Sequence, residues 1–228
     1  MPHRFISGLV VALFVAQPLA AAPDARTAGI CDHAARRAAR THDVPLDVLR
    51  AISRVETGRA VDGQLAPWPW AINVEGKGFW FTSEYEAKTY LFNIFKAGKR
   101  SFDVGCFQIN YRWHGKAFRS IDAMFDPLEN AQYAARFLKK LHAELGSWTA
   151  AAGAYHSRTP DLAQAYSGRF RRVLAGLEQG IDAPLAARDP FTGAAAPLIP
   201  RDTDQTRGTA LGSLVPATGT ATAFIPFN

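Results

Sequence analysis

Between Cys31 and Gly180, apolar residues recur at three- and four-residue spacing in one segment after another, which limits this stretch to a mainly helical core. The strongest run opens at Pro127 and carries Leu128, Ala131, Ala135, Leu138, Leu141 and Leu145. Ser147 begins a shorter helix to about His156, and Pro160 opens another with Leu162, Tyr166, Phe170, Val173 and Leu177 on one face. Upstream, Ala34, Ala35 and Ala38 mark a first helix from Cys31 to Thr41. Ser83 caps a helix through roughly Lys96 that offers Tyr85, Leu91, Phe92 and Phe95 to the core. One piece breaks the helical rhythm. Residues 70–74 and 79–82 flank the turn residues Glu75, Gly76, Lys77 and Gly78 and predict a β-hairpin. Its aromatic residues, with Trp68, suit either a cover for the core or a wall against which pyranose rings stack.

Within this helical pattern one residue is out of place. The segment from Val44 to Gly58 reads as one helix, with Pro45 in its first turn and Gly58 as its stop. Leu49, Ile52 and Val55 mark its inward face, and Glu56 falls four residues after Ile52 and seven after Leu49, partly on that face. A carboxylate in apolar surroundings loses the solvation of its charged form. Its pKa then rises, and it can act as a general acid near neutrality. The alternative is a helix-end glutamate that swings into solvent or pairs with Arg54 or Arg59.

The ends of the chain differ from its middle. His3 and Arg4, an apolar run from Ile6 to Ala16, and the small residues Ala20, Ala21 and Ala22 have the layout of a secretory signal peptide over 1–22; an uncleaved anchor is the competing reading. Residues 23–180 form the folded domain, and 181–228, rich in Ala, Pro, Thr and Gly, predict a disordered tail. Two cysteines, Cys31 and Cys106, suit an exported chain with one disulfide, which closes a long loop and stabilises by about 3–4 kcal/mol. Two free thiols and a metal site are the weaker alternatives, since two sulfurs without nearby histidines make a poor zinc site. The net charge of +6 favours anionic partners. The basic residues are scattered, without the basic stripe and interleaved aromatics of a nucleic-acid binder. His114 and His156 read as local hydrogen-bonding residues, so neither a metal nor another cofactor is expected.

The sequence Asp103-Val104-Gly105-Cys106-Phe107-Gln108-Ile109-Asn110, together with Glu56-Thr57-Gly58 and Ala154-Tyr155-His156-Ser157, resembles the lysozyme-like lytic transglycosylases of the soluble lytic murein transglycosylase (SLT) family. That family carries Glu-Ser, then Gly-Leu-Met-Gln-Ile, then Ala-Tyr-Asn, in this order. Thr57 stands for Ser and keeps the hydroxyl, Cys106 and Phe107 stand for Leu and Met, and His156 stands for Asn. The hairpin segment looks like an insertion found in a subgroup.

The resemblance implies a lysozyme-like helical domain with a small β-hairpin insertion, acting on peptidoglycan glycan strands. Glu56 would protonate the β-1,4 bond between N-acetylmuramic acid and N-acetylglucosamine, then deprotonate the muramic C6 hydroxyl to leave a 1,6-anhydro end. Tyr155 would place its hydroxyl near Glu56, Gln108 would bond the sugar's acetamido group, and Gly105 would let the chain pass close to the sugar. Thr57 and Asn110 complete the expected substrate-binding set, although a helix-start role explains Asn110 equally well. Asp103 is either a second carboxylate or a capping residue. The signal-peptide layout makes an exported, periplasmic protein the expectation, a monomer is expected, and the resemblance adds a secretion, pilus or flagellar envelope assembly as a candidate partner. Two other readings stay open: a muramidase that uses water at the same site, and a non-catalytic wall-binding module.

Overall fold

A computed structural model describes residues 23–61 and 63–179. The expected signal peptide and disordered tail lie outside the described residues. In chain order the elements are α1 (Pro23–His42), α2 (Leu46–Thr57), β1 (Arg59–Val61), β2 (Gln64–Ala66), β3 (Ala71–Val74), β4 (Lys77–Trp80) and α3 (Glu84–Lys96). Then follow β5 (Phe102–Val104), β6 (Ile109–Asn110), α4 (Tyr111–His114), α5 (Ile121–Phe125), α6 (Pro127–Leu145), α7 (Trp148–His156) and α8 (Pro160–Glu178). The fold is mainly α, as the apolar spacing predicts.

Local chemistry explains where the long helices start and stop. Asp126 accepts from the backbone N–H groups of Leu128 and Glu129, Pro127 sits in the first turn of α6, and the left-handed Gly146 ends it. Ser147 caps α7 by accepting from Ala150 N–H. In α1 the expected Ala34, Ala35 and Ala38 are buried, and their small side chains suit the close packing of α1 along α6. The helix itself begins well before Cys31, at Pro23.

The helices stack α1 on α6, α6 on α7 and α7 on α8, while α2 packs against both α1 and α8. This central position buries nearly every side of α2, polar residues included: Ser53, Arg54, Glu56 and Thr57 are all enclosed. Arg54 is the most demanding of these. Its guanidinium donates two hydrogen bonds to Asp32 of α1, at 2.8 and 3.0 Å, which compensates its desolvation.

The β structure is larger than the single hairpin expected. β3 and β4 do pair, but the turn is only Glu75–Gly76, both at positive φ, because Lys77 and Gly78 enter the ladder opposite Val74 and Asn73. β5 and β6 extend this ribbon to a four-stranded antiparallel sheet in the order β4-β3-β5-β6. β1 and β2 form a separate small ribbon. Ser83 caps α3 as expected, and Leu91 is buried. Tyr85 and Phe92 are not core residues: they are 80% and 61% exposed. α3 leans on β3 of the sheet, its Phe95 ring meets Tyr111 of α4 edge-on and its Lys88 pairs with Asp122 of α5, but these contacts leave Tyr85 and Phe92 uncovered.

Cys31 and Cys106 form a disulfide that ties α1 to the turn between β5 and β6 across 75 residues of sequence. The joint replacement Cys31→Ala and Cys106→Ala should lower the unfolding free energy by about 3–4 kcal/mol. Urea denaturation of the oxidised parent and the variant measures this, and equal midpoints would contradict it.

Candidate active site

Glu56 lies in the last turn of α2, and only 3% of its surface is exposed. It pairs with neither Arg54, which is committed to Asp32, nor Arg59, whose guanidinium lies over the Trp68 ring. Instead the Tyr166 hydroxyl of α8 donates to its Oε1 at 2.7 Å. Burial pushes the carboxyl from its ordinary value of 4.5 up to about 8. The Tyr166 hydrogen bond and the charge of Arg169 pull it down, and the nearby Asp103 charge pushes it further up.

The expected partner, Tyr155, is not the phenol on Glu56. Its hydroxyl donates to the Phe107 carbonyl at 2.7 Å, bracing the turn of the Gly105–Gln108 segment. Both tyrosines are fully buried in low-dielectric surroundings that raise them well above the ordinary phenol value, so both stay protonated as donors. Tyr166 stood in the sequence as one member of an apolar helix face. No signal in the sequence separates it from Phe170, which shares that face and makes no such bond. Its approach depends on the α7–α8 crossing at Gly153, where a β-carbon would sit 2.5 Å from Ser167 Oγ and 2.9 Å from the Ala163 carbonyl oxygen.

The other expected residues gather beside Glu56, with their polar atoms used to build the site. Thr57 Oγ1 donates to the Ser53 carbonyl and accepts from the Trp68 backbone N–H at 3.0 Å. Gln108, at φ +46°, donates through Nε2 to the carbonyls of Ala71 and Gly105 and so holds its own turn. Gly105, at φ +77°, leaves space for Asn130, whose side chain would stand 3.1 Å from a β-carbon there. Asn130 is a supporting residue that the sequence did not single out. Its amide accepts from Phe107 N–H and donates to the carbonyls of Val104 and Met124. Asn110 does cap a helix, accepting from Trp113 N–H, and it also donates to Asp103 Oδ1 at 2.7 Å. Asp103 is therefore a buried strand residue of β5, not a helix cap.

The aromatic residues of the hairpin differ in burial. Trp68 and Trp70 are buried in the core, whereas Phe79, Trp80 and Phe81 are half-buried. The Trp80 indole donates to the Thr57 carbonyl at 3.2 Å, which brings the hairpin to the end of the helix that carries Glu56.

A deeply buried carboxyl, held by a phenol at the end of a helix, has the raised pKa that a general acid needs near neutrality. Residues 83–170 match the family model described as the transglycosylase SLT domain. The matched segment includes Gly105, Gln108, Asn110, Tyr155 and Tyr166 and begins after Glu56 and Thr57. No curated protein and no solved structure matches the chain.

Enclosing Glu56 has a measurable cost. Its folded pKa lies above the unfolded value, so its contribution to stability is fully present below about 4.5 and is lost as pH rises through about 8. Glu56→Gln should therefore unfold at higher denaturant than the parent at pH 8. The difference should grow between pH 4.5 and 8 by up to about 1.4 kcal/mol per pH unit. Parallel urea melts across that range test this, and a pH-independent difference would contradict it.

Proposed function

We propose that this protein is a peptidoglycan lytic transglycosylase that cleaves the β-1,4 bond between N-acetylmuramic acid and N-acetylglucosamine with Glu56 as its acid and base. The SLT domain implies peptidoglycan as the substrate. The observation that carries the catalytic reading is the Tyr166–Glu56 contact inside a dehydrated site. A neutral carboxyl at physiological pH has one proton to give. With the Tyr166 proton held on Oε1, the carboxyl's own proton resides on Oε2 and is directed away from the phenol. Transfer to the glycosidic oxygen breaks the bond and leaves Glu56 as a carboxylate. The Tyr166 hydrogen bond then stabilises that charge. The carboxylate next takes the proton from the muramic C6 hydroxyl as its oxygen closes on C1, which restores the acid and forms the 1,6-anhydro ring.

Two features favour the internal hydroxyl over water. Asp103, the other carboxylate near Glu56, is buried and accepts from Asn110, an arrangement suited to holding the β5–β6 turn rather than to activating water. The burial of Glu56 also leaves little solvent at the carboxyl that would have to activate a water. The disulfide and the chemistry of the substrate fit an exported protein acting in the periplasm, with glycan strands as its partner.

Glu56→Gln should reduce release of muropeptides from purified sacculi by at least about a hundredfold. Products of the parent protein should be lighter than those of a muramidase by one water, which mass spectrometry reads directly. The rate should fall as pH rises through about 8, where the acid is lost. Reducing-end products would support the hydrolytic alternative, and binding to sacculi without turnover would support the binding-module alternative.

A further inference from the structure

The geometry points to His156 as a positioning residue: its imidazole is the platform that holds the Tyr166 ring, and through it the Tyr166 hydroxyl, on Glu56. This rests on the catalytic reading of Glu56 given above. His156 ends α7 and Tyr166 lies in α8. Their rings lie face to face, with centroids 4.7 Å apart and planes inclined by only 12°. Such contact fixes the tilt of a phenol without touching its oxygen. The oxygen is then committed to Glu56 at 2.7 Å, where a small rotation of the ring would lengthen the bond.

Three observations separate this contact from ordinary core packing. First, His156 is itself buried, at 6% exposure, and its Nδ1 is enclosed without a hydrogen-bond partner, so the imidazole is not placed there for its own bonds. Second, burial and then the Arg169 charge hold it down to about 3, so it is a neutral flat ring throughout the working pH range and adds no charge beside the acid. Third, the Arg169 guanidinium stands 5.5 Å from the centre of the same Tyr166 ring, so the phenol is held by two side chains at once.

The charged and titratable groups that bear on this cluster come from each element around it. They are Glu56 from α2, Asp103 from β5, Tyr133 from α6, Tyr155 and His156 from α7, and Tyr166 and Arg169 from α8. Of these, the Tyr166 bond is the strongest influence that lowers Glu56. Loosening the ring should therefore raise Glu56 further and misplace its proton.

The test compares His156→Ala, His156→Phe, Tyr166→Phe and the double variant His156→Ala with Tyr166→Phe, all in the full chain. Two readouts are followed: the pH dependence of turnover on sacculi, and the titration of Glu56 by its side-chain carboxyl carbon resonance. His156→Ala should lower kcat by about tenfold. It should also move the basic limb and the Glu56 titration upward by roughly half to one pH unit. His156→Phe, which keeps a flat ring, should restore both. In the Tyr166→Phe background, His156→Ala should add less than about a twofold loss. A His156→Ala protein with a lower melting point but unchanged titration and kcat would overturn the proposal, as would equal losses in both backgrounds. If His156→Ala does not fold, His156→Asn takes its place under the same criteria. The carbon resonance needs no turnover. An active Glu56→Gln variant would thus remove the catalytic reading, while the titrations would still decide the positioning role of His156.

Discussion

The site rests on the removal of one carboxyl from water. Glu56 is enclosed because α2 runs through the middle of the helical stack and every residue of its last two turns, from Ala51 to Thr57, is buried. Each neighbour then has a definite electrostatic effect. Asp103 makes ionisation harder, Arg169 makes it easier, and Tyr166 supplies the hydrogen bond that keeps the group usable in both protonation states. A carboxyl raised by burial alone would be a reluctant acid, because giving up its proton would leave an unsolvated charge. The phenol moderates that by favouring the charged form while leaving the neutral form dominant below about pH 8.

The polar residues of the motif between Asp103 and Asn110 show how such a site is kept in shape. Gln108, Asn110 and Asn130 spend their amides on backbone carbonyls, backbone N–H groups and Asp103. The turn is irregular, with Gly105 and Gln108 both at positive φ; Gly105 N–H reaches the Ala71 carbonyl of β3, but the Phe107 N–H and carbonyl have no sheet partner to satisfy them. Side chains do this instead. Tyr155 belongs to the same framework, since its hydroxyl closes the Phe107 carbonyl. These residues frame the proposed site, and Glu56, Tyr166 and the neighbours of the Tyr166 ring form its proposed working part.

Much of this was legible in the chain, for physical reasons. Helices long enough to show two or more turns of apolar period, such as α6 and α8, announce themselves, and Pro127, Ser147 and Pro160 mark their starts. The position of Glu56 on the inward face of α2 followed from the same period. What stayed hidden was set by contacts between elements. Periodicity says that Tyr155 and Tyr166 both face inward, but not which one meets Glu56; that depends on how closely α7 and α8 cross at Gly153. β5 and β6 have three and two residues, too few to show an alternation, so their sheet was invisible. Tyr85 and Phe92 looked like core residues because helical spacing identifies a face, not whether another element arrives to cover it.

Two adjacent residues of α1, Cys31 and Asp32, hold different parts of the molecule. Cys31 is bonded to the turn at Cys106, and Asp32 grips Arg54, two residues before Glu56. A single helical turn thus anchors both the helix that carries Glu56 and the loop at Cys106, so a displacement of α1 would pull on both at once.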